Sequence, residues 1–235
     1  MKIEGKNAVR EALRSGVTVD TLLIEKGMND EIIALARKKQ VRMQYLDKRV
    51  MDKRSPGGKH QGFIAEISDF VYSTVEEIVA SSKGRHFIVL LDGVEDPHNL
   101  GSILRVCECA GVDGVVIGKN RSVSVNDTVM RVSAGAANHV KVARVTNLTR
   151  VIDTLKAQGI WVYAADMDGD SIYECDLKGD VALVIGGEGK GVTLLVKEHC
   201  DGVVSMPLLG KVNSLNASVA CGIAVYEAVR QRGGN

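Results

Sequence analysis

No apolar run in the 235-residue sequence approaches the ~18 residues that a membrane-spanning helix needs, so neither a span nor a membrane partner is expected. The N-terminal stretch MKIEGKNAVREALRSG is charged from its second residue. It lacks the apolar core of a secretory signal, and the expected location is cytoplasmic. Cysteine is sparse and odd in number, so the five residues cannot all pair internally. Cys107, Cys109, Cys175, Cys200 and Cys221 follow no repeated two-cysteine spacing of a zinc site and are expected to be mostly buried thiols. Internal repeats and low-complexity segments are also missing. What remains is ordinary globular material, 45% hydrophobic and 25% charged, long enough for one large domain or two smaller ones.

The net charge of +1 hides a division. Residues 1–72 hold 14 Lys/Arg against 10 Asp/Glu, a net +4, and residues 73–235 hold 16 against 19, a net −3. The basic excess is densest in RKKQVR (37–42) and DKRVMDKRSPGGKH (47–60), which includes Lys53, Arg54 and Lys59. Such a cluster fits either an RNA backbone or a solvated helix face.

Periodicity organises the chain. GKNAVREALRSG places Ala8, Val9, Ala12 and Leu13 at helical spacing and ends at Gly16 as a C-terminal glycine would end a helix. VDTLLIEKG reads as a strand, NDEIIALARKKQ as a second amphipathic helix capped by Asn29 or Asp30, and VRMQYLD as a second strand. The loop SPGGKH leads into a strand region, QGFIAEISDFVY, that closes a small α/β domain over residues 1–72. A helix and linker occupy 73–85. From residue 86 to 235 strands alternate with longer helices, which predicts a mainly parallel sheet with strands at 87–93, 114–118, 140–145, 160–165, 181–186 and 202–206.

Three constellations fall at predicted strand-to-helix turns, where open α/β sheets bind ligands. In DGVEDPHNLGSILRVCECAG (92–111), Asp96, Pro97 and His98 form a turn, Asn99 can cap a helix, and Gly101 permits close backbone approach. Arg105 follows six residues after Asn99. On this segment alone a surface salt bridge is the favoured reading over a functional role. The second constellation, VIGGEGKGV (184–192), is not a Walker loop, because Lys190 is followed by Gly191 and not by the Ser or Thr that holds magnesium. Nor do Gly187, Gly189 and Gly191 have dinucleotide-fingerprint spacing, and the usual acidic residue after a following strand is missing. A loop with exposed main-chain groups and Glu188 as its only acid remains, suited to a neutral, flat ligand. The third, VVSMPLLGKVNSLNASVACGIAVYEAVRQRG (203–233), ends a strand at Met206-Pro207 and opens a helix carrying Ala217, Val219, Ala220, Ile223, Ala224 and Ala228. That helix must pack closely. Ser214, Asn216 and Ser218 at its start, each taken singly, read as helix caps ahead of site residues.

In this order, NLGSILR, IGGEGKGV and MPLLGKVNSLNASVACGIAVYE strongly resemble the three motifs of the SpoU/TrmH family of RNA ribose 2'-O-methyltransferases, members of the SPOUT class. RVSAGAANHVKV (131–142) resembles the region between the first two motifs. GKNAVREAL and HQGFIAEI resemble the small RNA-binding domain, related to kink-turn-binding ribosomal proteins, that precedes the catalytic domain in the RlmB-type branch. The resemblance covers nearly the whole chain.

It implies an α/β SPOUT domain whose C-terminal part threads through a loop as a deep trefoil knot, a topology no base rate would suggest. It also implies a homodimer through the knotted domain and S-adenosylmethionine as cofactor. The adenine would be held mainly by main chain at Gly186, Gly187, Met206, Leu208 and Leu215. The catalytic set it implies is Asn99, Arg105, Glu188, Ser214 and Asn216, with Asn99 holding Arg105 or the RNA backbone and Glu188 anchoring Arg105 or a loop. Methyl transfer to a ribose hydroxyl demands positioning and deprotonation and needs no metal. A guanidinium with a pKa above ~12 is a poor base, so Arg105 is read as a clamp on the target phosphate, supplied in cis or across the dimer. The implied substrate is a guanosine of large-subunit ribosomal RNA. A tRNA, another ribosomal site, or a non-catalytic assembly role are the alternatives.

Overall fold

The structure is a computed structural model that describes residues 2–14, 17–55, 57–68, 70–189, 191–212 and 214–233. It divides into two compact units, 1–71 and 72–235. The expected helix-ending Gly16 and the lysine of the glycine loop, Lys190, lie outside the described residues.

The first unit runs β1 (Lys2–Glu4), α1 (Lys6–Arg14), β2 (Thr18–Glu25), α2 (Glu31–Lys38), β3 (Arg42–Leu46), α3 (Lys48–Arg54) and β4 (Phe63–Ser68). Its sheet has the order β1-β4-β2-β3, with β2 and β3 parallel and the other pairs antiparallel. The apolar stripes of α1 and α2, including Val9, Leu13, Ile32 and Ala36, pack with Leu22, Ile24 and Phe63 in one core. Of the two cap candidates Asp30 caps α2, its carboxylate accepting the Ile32 N–H at 3.2 Å. The short β1 and the basic α3 were not anticipated. α3 is held by one fully buried side chain, Met51, against Leu23 and Ile64.

In the second unit, the helix expected within 73–85 is packed against the domain. Ser73 donates its N–H to Val142 O at 2.8 Å. α4 (Val75–Ala80) opens with a capping box between Thr74 and Glu77 and buries Ile78 completely. There follow β5 (Phe87–Asp92), α5 (Pro97–Cys109), β6 (Gly114–Gly118), α6 (Asp127–Val132), β7 (Lys141–Val145), α7 (Leu148–Ala157), β8 (Trp161–Ser171), β9 (Val181–Gly186), α8 (Leu194–His199), β10 (Gly202–Ser205) and α9 (Ala217–Gln231). The sheet is wholly parallel, in the order β10-β8-β9-β5-β6-β7. The six strands stand where the sequence placed them, except that β8 continues to Ser171. Near-continuous burial of FIVLL in β5 and VALVI in β9 is what a parallel sheet covered on both faces requires.

Chain order reverses at β5: β6 and β7 extend the sheet on one side, β9, β8 and β10 on the other. The crevice beyond the carboxyl ends at such a switch point is where open α/β sheets bind ligands. The small residues of α9 let it pack on α5, where Cys107 and Cys221 meet, both fully buried. The Cys221 sulfur beside it and burial together raise the Cys107 thiol well above its usual value. The expectation of mostly buried cysteines holds for this pair only. Cys175 and Cys200 are half-buried, Cys109 is exposed, and all five are free thiols.

Candidate active site

The glycine loop is shaped by contacts that leave no room for side chains. A Cβ on Gly186 would stand 2.1 Å from the carbonyl carbon of Gly191, and one on Gly187 2.0 Å from Gly93 O. Gly189 and Gly191 take φ of +81° and +61°, which favours glycine. Gly187 donates its N–H to Asp92 O at 2.8 Å, and the Asp92 carboxylate accepts both the N–H and the hydroxyl of Thr193 at 2.8 and 2.7 Å. The end of β5 thereby pins both ends of the loop.

Three distant segments converge on Glu188. Its Oε1 accepts from Asn99 Nδ2 at 2.9 Å and from Asn216 Nδ2 at 2.7 Å, and Asn216 Nδ2 also reaches Asn99 Oδ1 at 2.9 Å. Asn216 Oδ1 faces the other way, accepting the Ser218 N–H at 2.9 Å and capping α9. Asn216 is therefore both a helix cap and a site residue. Asn99 is not a cap: Asp96 caps α5 through the His98 N–H at 3.0 Å, and Asn99 lies inside the helix, 5% exposed. Gly101 makes the expected close approach, its Cα facing α6 where a Cβ would meet Val132 at 2.7 Å and Val129 O at 3.1 Å.

Beside this network lies a cavity of about 310 Å³. Gly186, Gly187, Met206, Leu208 and Leu215 all line it, as do Glu188 and Ser214. Its other walls include Asp166 and Gly191, which were not anticipated. Asp166 and Glu188 are the charged residues among the described lining, so the cavity has an acidic wall. A second cavity, about 850 Å³, is lined by the turns after β5, β6 and β7 and shares Gly187, Glu188, Gly191 and Ala217 with the first. Asn99 faces this second cavity.

Arg105 is exposed, lines neither cavity, and makes no ion pair or hydrogen bond among the described residues. A six-residue offset turns it ~120° around α5 from Asn99. Within one chain neither Asn99 nor Glu188 holds it, because these two bind each other and Asn216, which leaves the other role expected of each, the RNA backbone for Asn99 and a loop for Glu188. The surface salt bridge that would explain Arg105 without function is missing among the described residues as well.

In the first unit, Lys53 and Arg54 end α3 and Lys59 follows in the loop, all exposed. The loop folds around Glu4, which accepts from the Ser55 hydroxyl, from Gly57 N at 2.9 Å and from Lys59 N at 3.3 Å. The Ser55 hydrogen bond is the main cause that holds the Glu4 carboxyl below its ordinary value. Among the described residues no group of three or more His, Cys, Asp or Glu could hold a metal ion, and no helix is long and apolar enough to cross a membrane.

A cofactor-sized, acidic cavity beyond the carboxyl ends of β8, β9 and β10, next to a second cavity at the β5 switch point, defines an α/β protein built to hold a small organic ligand. Comparison with known proteins sharpens this. Residues 86–226 match the model of the SpoU rRNA methylase family, and residues 2–73 match that of the RNA 2'-O ribose methyltransferase substrate-binding domain. The 23S rRNA (guanosine-2'-O-)-methyltransferase RlmB of Xanthomonas campestris is 42% identical over 98% of this chain and 96% of its own. A TrmH-family tRNA/rRNA methyltransferase of Staphylococcus saprophyticus is 43% identical over 98% and 95%. Among solved structures, the SpoU methyltransferase AviRb of Streptomyces viridochromogenes in complex with AdoMet superposes with a TM-score of 0.65 at 25% identity, covering 100% of this chain and 91% of that one. The chain belongs to the SpoU rRNA methylase family and is an RNA methyltransferase of the SpoU/TrmH type.

Proposed function

We propose that the protein uses S-adenosylmethionine to methylate the 2'-hydroxyl of a guanosine in large-subunit ribosomal RNA, in the cytoplasm and as a homodimer with a knotted C-terminal region. The observation that carries the reading is the acidic cavity lined by all five residues expected to hold the cofactor. Gly186 and Gly187 clear the backbone for a nucleoside, and the described lining offers two carboxylates and no cation to meet a triphosphate. When bound, the cofactor would supply an electrophilic methyl group. The chain's contribution is to bind, orient and shield. The Asn99–Glu188–Asn216 network fixes the wall between the two cavities, and the larger one offers the target ribose a route to that wall. Arg105, without a hydrogen bond or ion pair among the described residues and outside the network, fits a clamp for the target phosphate furnished by a second copy of the chain. The hydroxyl proton then passes to a phosphate oxygen or solvent. Val219 and Tyr226, half exposed and about two turns apart on α9, give that second copy an apolar face. The guanosine target rests on the Xanthomonas relative, whereas the tRNA/rRNA name of the Staphylococcus relative supports a tRNA alternative.

Calorimetry is expected to show binding of S-adenosylmethionine and S-adenosylhomocysteine and none of ATP. Magnesium-dependent ATP binding would overturn the cofactor assignment. For the first unit, the triple variant Lys53→Ala/Arg54→Ala/Lys59→Ala is expected to keep cofactor affinity and lower the salt slope of RNA binding by roughly 2 to 3, as losing up to three phosphate contacts requires. An unchanged slope would make the cluster a solvated face.

A further inference from the structure

Asp166 is a cavity residue that the three motifs do not include. β8 and β9 run parallel, and their last pair is Ala165 opposite Ile185, so Asp166, still within β8, follows level with Gly186, where the glycine loop begins. Against β10 the register jumps from Ala164/Val203 to Asp170/Val204, so five residues of β8 bulge out of that ladder. Gly169 permits the bulge to close, since a Cβ there would stand 2.4 Å from the Val203 carbonyl carbon. Bulges of this kind re-aim side chains beside ligand sites. The result is a carboxylate in the cavity wall, 14% exposed.

Its partners are few and fixed. Oδ1 accepts the Met167 N–H at 2.7 Å, Oδ2 accepts the Val192 N–H at 3.1 Å, and Lys197 Nζ lies 3.4 Å from Oδ2. A carboxylate has about four acceptor sites, so capacity is left over. Lys197 stands between Asp166 and Asp168, 3.0 Å from the latter, and offsets much of the local negative charge. What Asp166 offers a ligand is therefore less a bare charge than spare acceptor lone pairs in a partly desolvated wall. Neutral hydroxyl donors fit that offer. In dinucleotide-binding sheets an acidic side chain near the glycine turn takes ribose hydroxyls. Here the equivalent position lies on the strand beside the glycine loop but earlier in the chain.

We propose that Asp166 is a cofactor-binding residue that accepts hydrogen bonds from the vicinal ribose hydroxyls of the nucleoside, setting the depth at which the cofactor sits against Gly186. The proposal rests on the reading of this cavity as an S-adenosylmethionine site. Titration calorimetry with S-adenosylhomocysteine and its 2'-deoxy and 3'-deoxy counterparts tests it on wild type, Asp166→Asn and Asp166→Ala, with thermal midpoints as the folding control. Wild type is expected to bind at least one deoxy ligand about ten- to a hundredfold more weakly, the range for a hydrogen bond to a charged acceptor. Both variants are expected to bind the parent compound that weakly and to distinguish the three ligands by less than about threefold. Equal binding of all three by wild type, or full discrimination retained in both variants, would overturn the proposal. So would an unaltered midpoint with no binding of any ligand, which would make Asp166 only a brace for Val192. A loss in Asp166→Asn confined to S-adenosylmethionine, sparing S-adenosylhomocysteine, would instead assign a charge role. If wild type bound neither compound, the reading of the cavity itself would fall.

Discussion

Arg105→Ala is expected to cut methyl transfer by roughly 10²- to 10³-fold, the scale on which removing one preorganised donor acts, while folding, dimerisation and cofactor affinity persist. The separation follows from its position. Arg105 is exposed on α5, outside both cavities, so truncation breaks no hydrogen bond or ion pair among the described residues. Arg105→Lys is the sharper variant. It keeps the charge but loses the planar fork, so a bidentate phosphate clamp predicts severe loss and a plain electrostatic role predicts substantial retention. A solvated surface arginine, worth ~0–1 kcal/mol in any ion pair, predicts normal turnover in both. Single-turnover rates at saturating RNA and cofactor separate these cases. Mixing Arg105→Ala with a variant defective only in the cofactor cavity tests supply across the dimer, because recovered activity requires one intact site built from two chains.

Gly186→Ala is expected to have the opposite signature, with cofactor binding failing first. The added Cβ would fall 2.1 Å from the Gly191 carbonyl carbon, against backbone and not a side chain that can swing away. The loop must shift. Overpacking of this kind costs about 1–3 kcal/mol of stability, and a displacement near 1 Å at a positioned site costs on the order of 10²-fold. Calorimetry on the variant is expected to show cofactor affinity reduced by about that factor, with a folded thermal transition a few degrees below wild type. Wild-type affinity would mean that the loop does not shape the cavity. Gly84, with open space around its Cα, is the control: Gly84→Ala is expected to change neither quantity.

How far the sequence carried these conclusions differs by element. The six strands of the second unit were legible because a doubly covered parallel strand is a short, nearly continuous apolar run, as in FIVLL and VALVI. α3 was not. KRVMDKR has five charged residues in seven and buries only Met51, so it has no apolar stripe to read. β1 is three residues long and has a single apolar side chain, Ile3, too little for a period of two. At the site, resemblance and not local pattern singled out Glu188, Ser214 and Asn216 and the five residues that line the cavity with Glu188 and Ser214, but it did not foresee the bonds that join Glu188 to Asn99 and Asn216. The role of Asn99 was not, since nothing local reveals that Asp96 takes the cap and frees Asn99 to bind residues about 90 and 117 positions away. Asp166 escaped for a topological reason. An acid that matters to the glycine loop was sought after it in the chain, but the neighbouring strand β8 precedes it, and only sheet order makes the two adjacent.

The product expected of this protein is a 2'-O-methyl mark on RNA. Incubating the wild-type protein with methyl-labelled S-adenosylmethionine and large-subunit ribosomal RNA lacking modifications, then mapping alkali-resistant linkages, tests it directly. A 2'-O-methyl group removes the hydroxyl that attacks the adjacent phosphodiester, so the marked linkage survives alkali. The expected result is label retained in one alkali-resistant dinucleotide with guanosine on its 5' side. Label found on a base, or no transfer to either ribosomal or transfer RNA, would contradict the account.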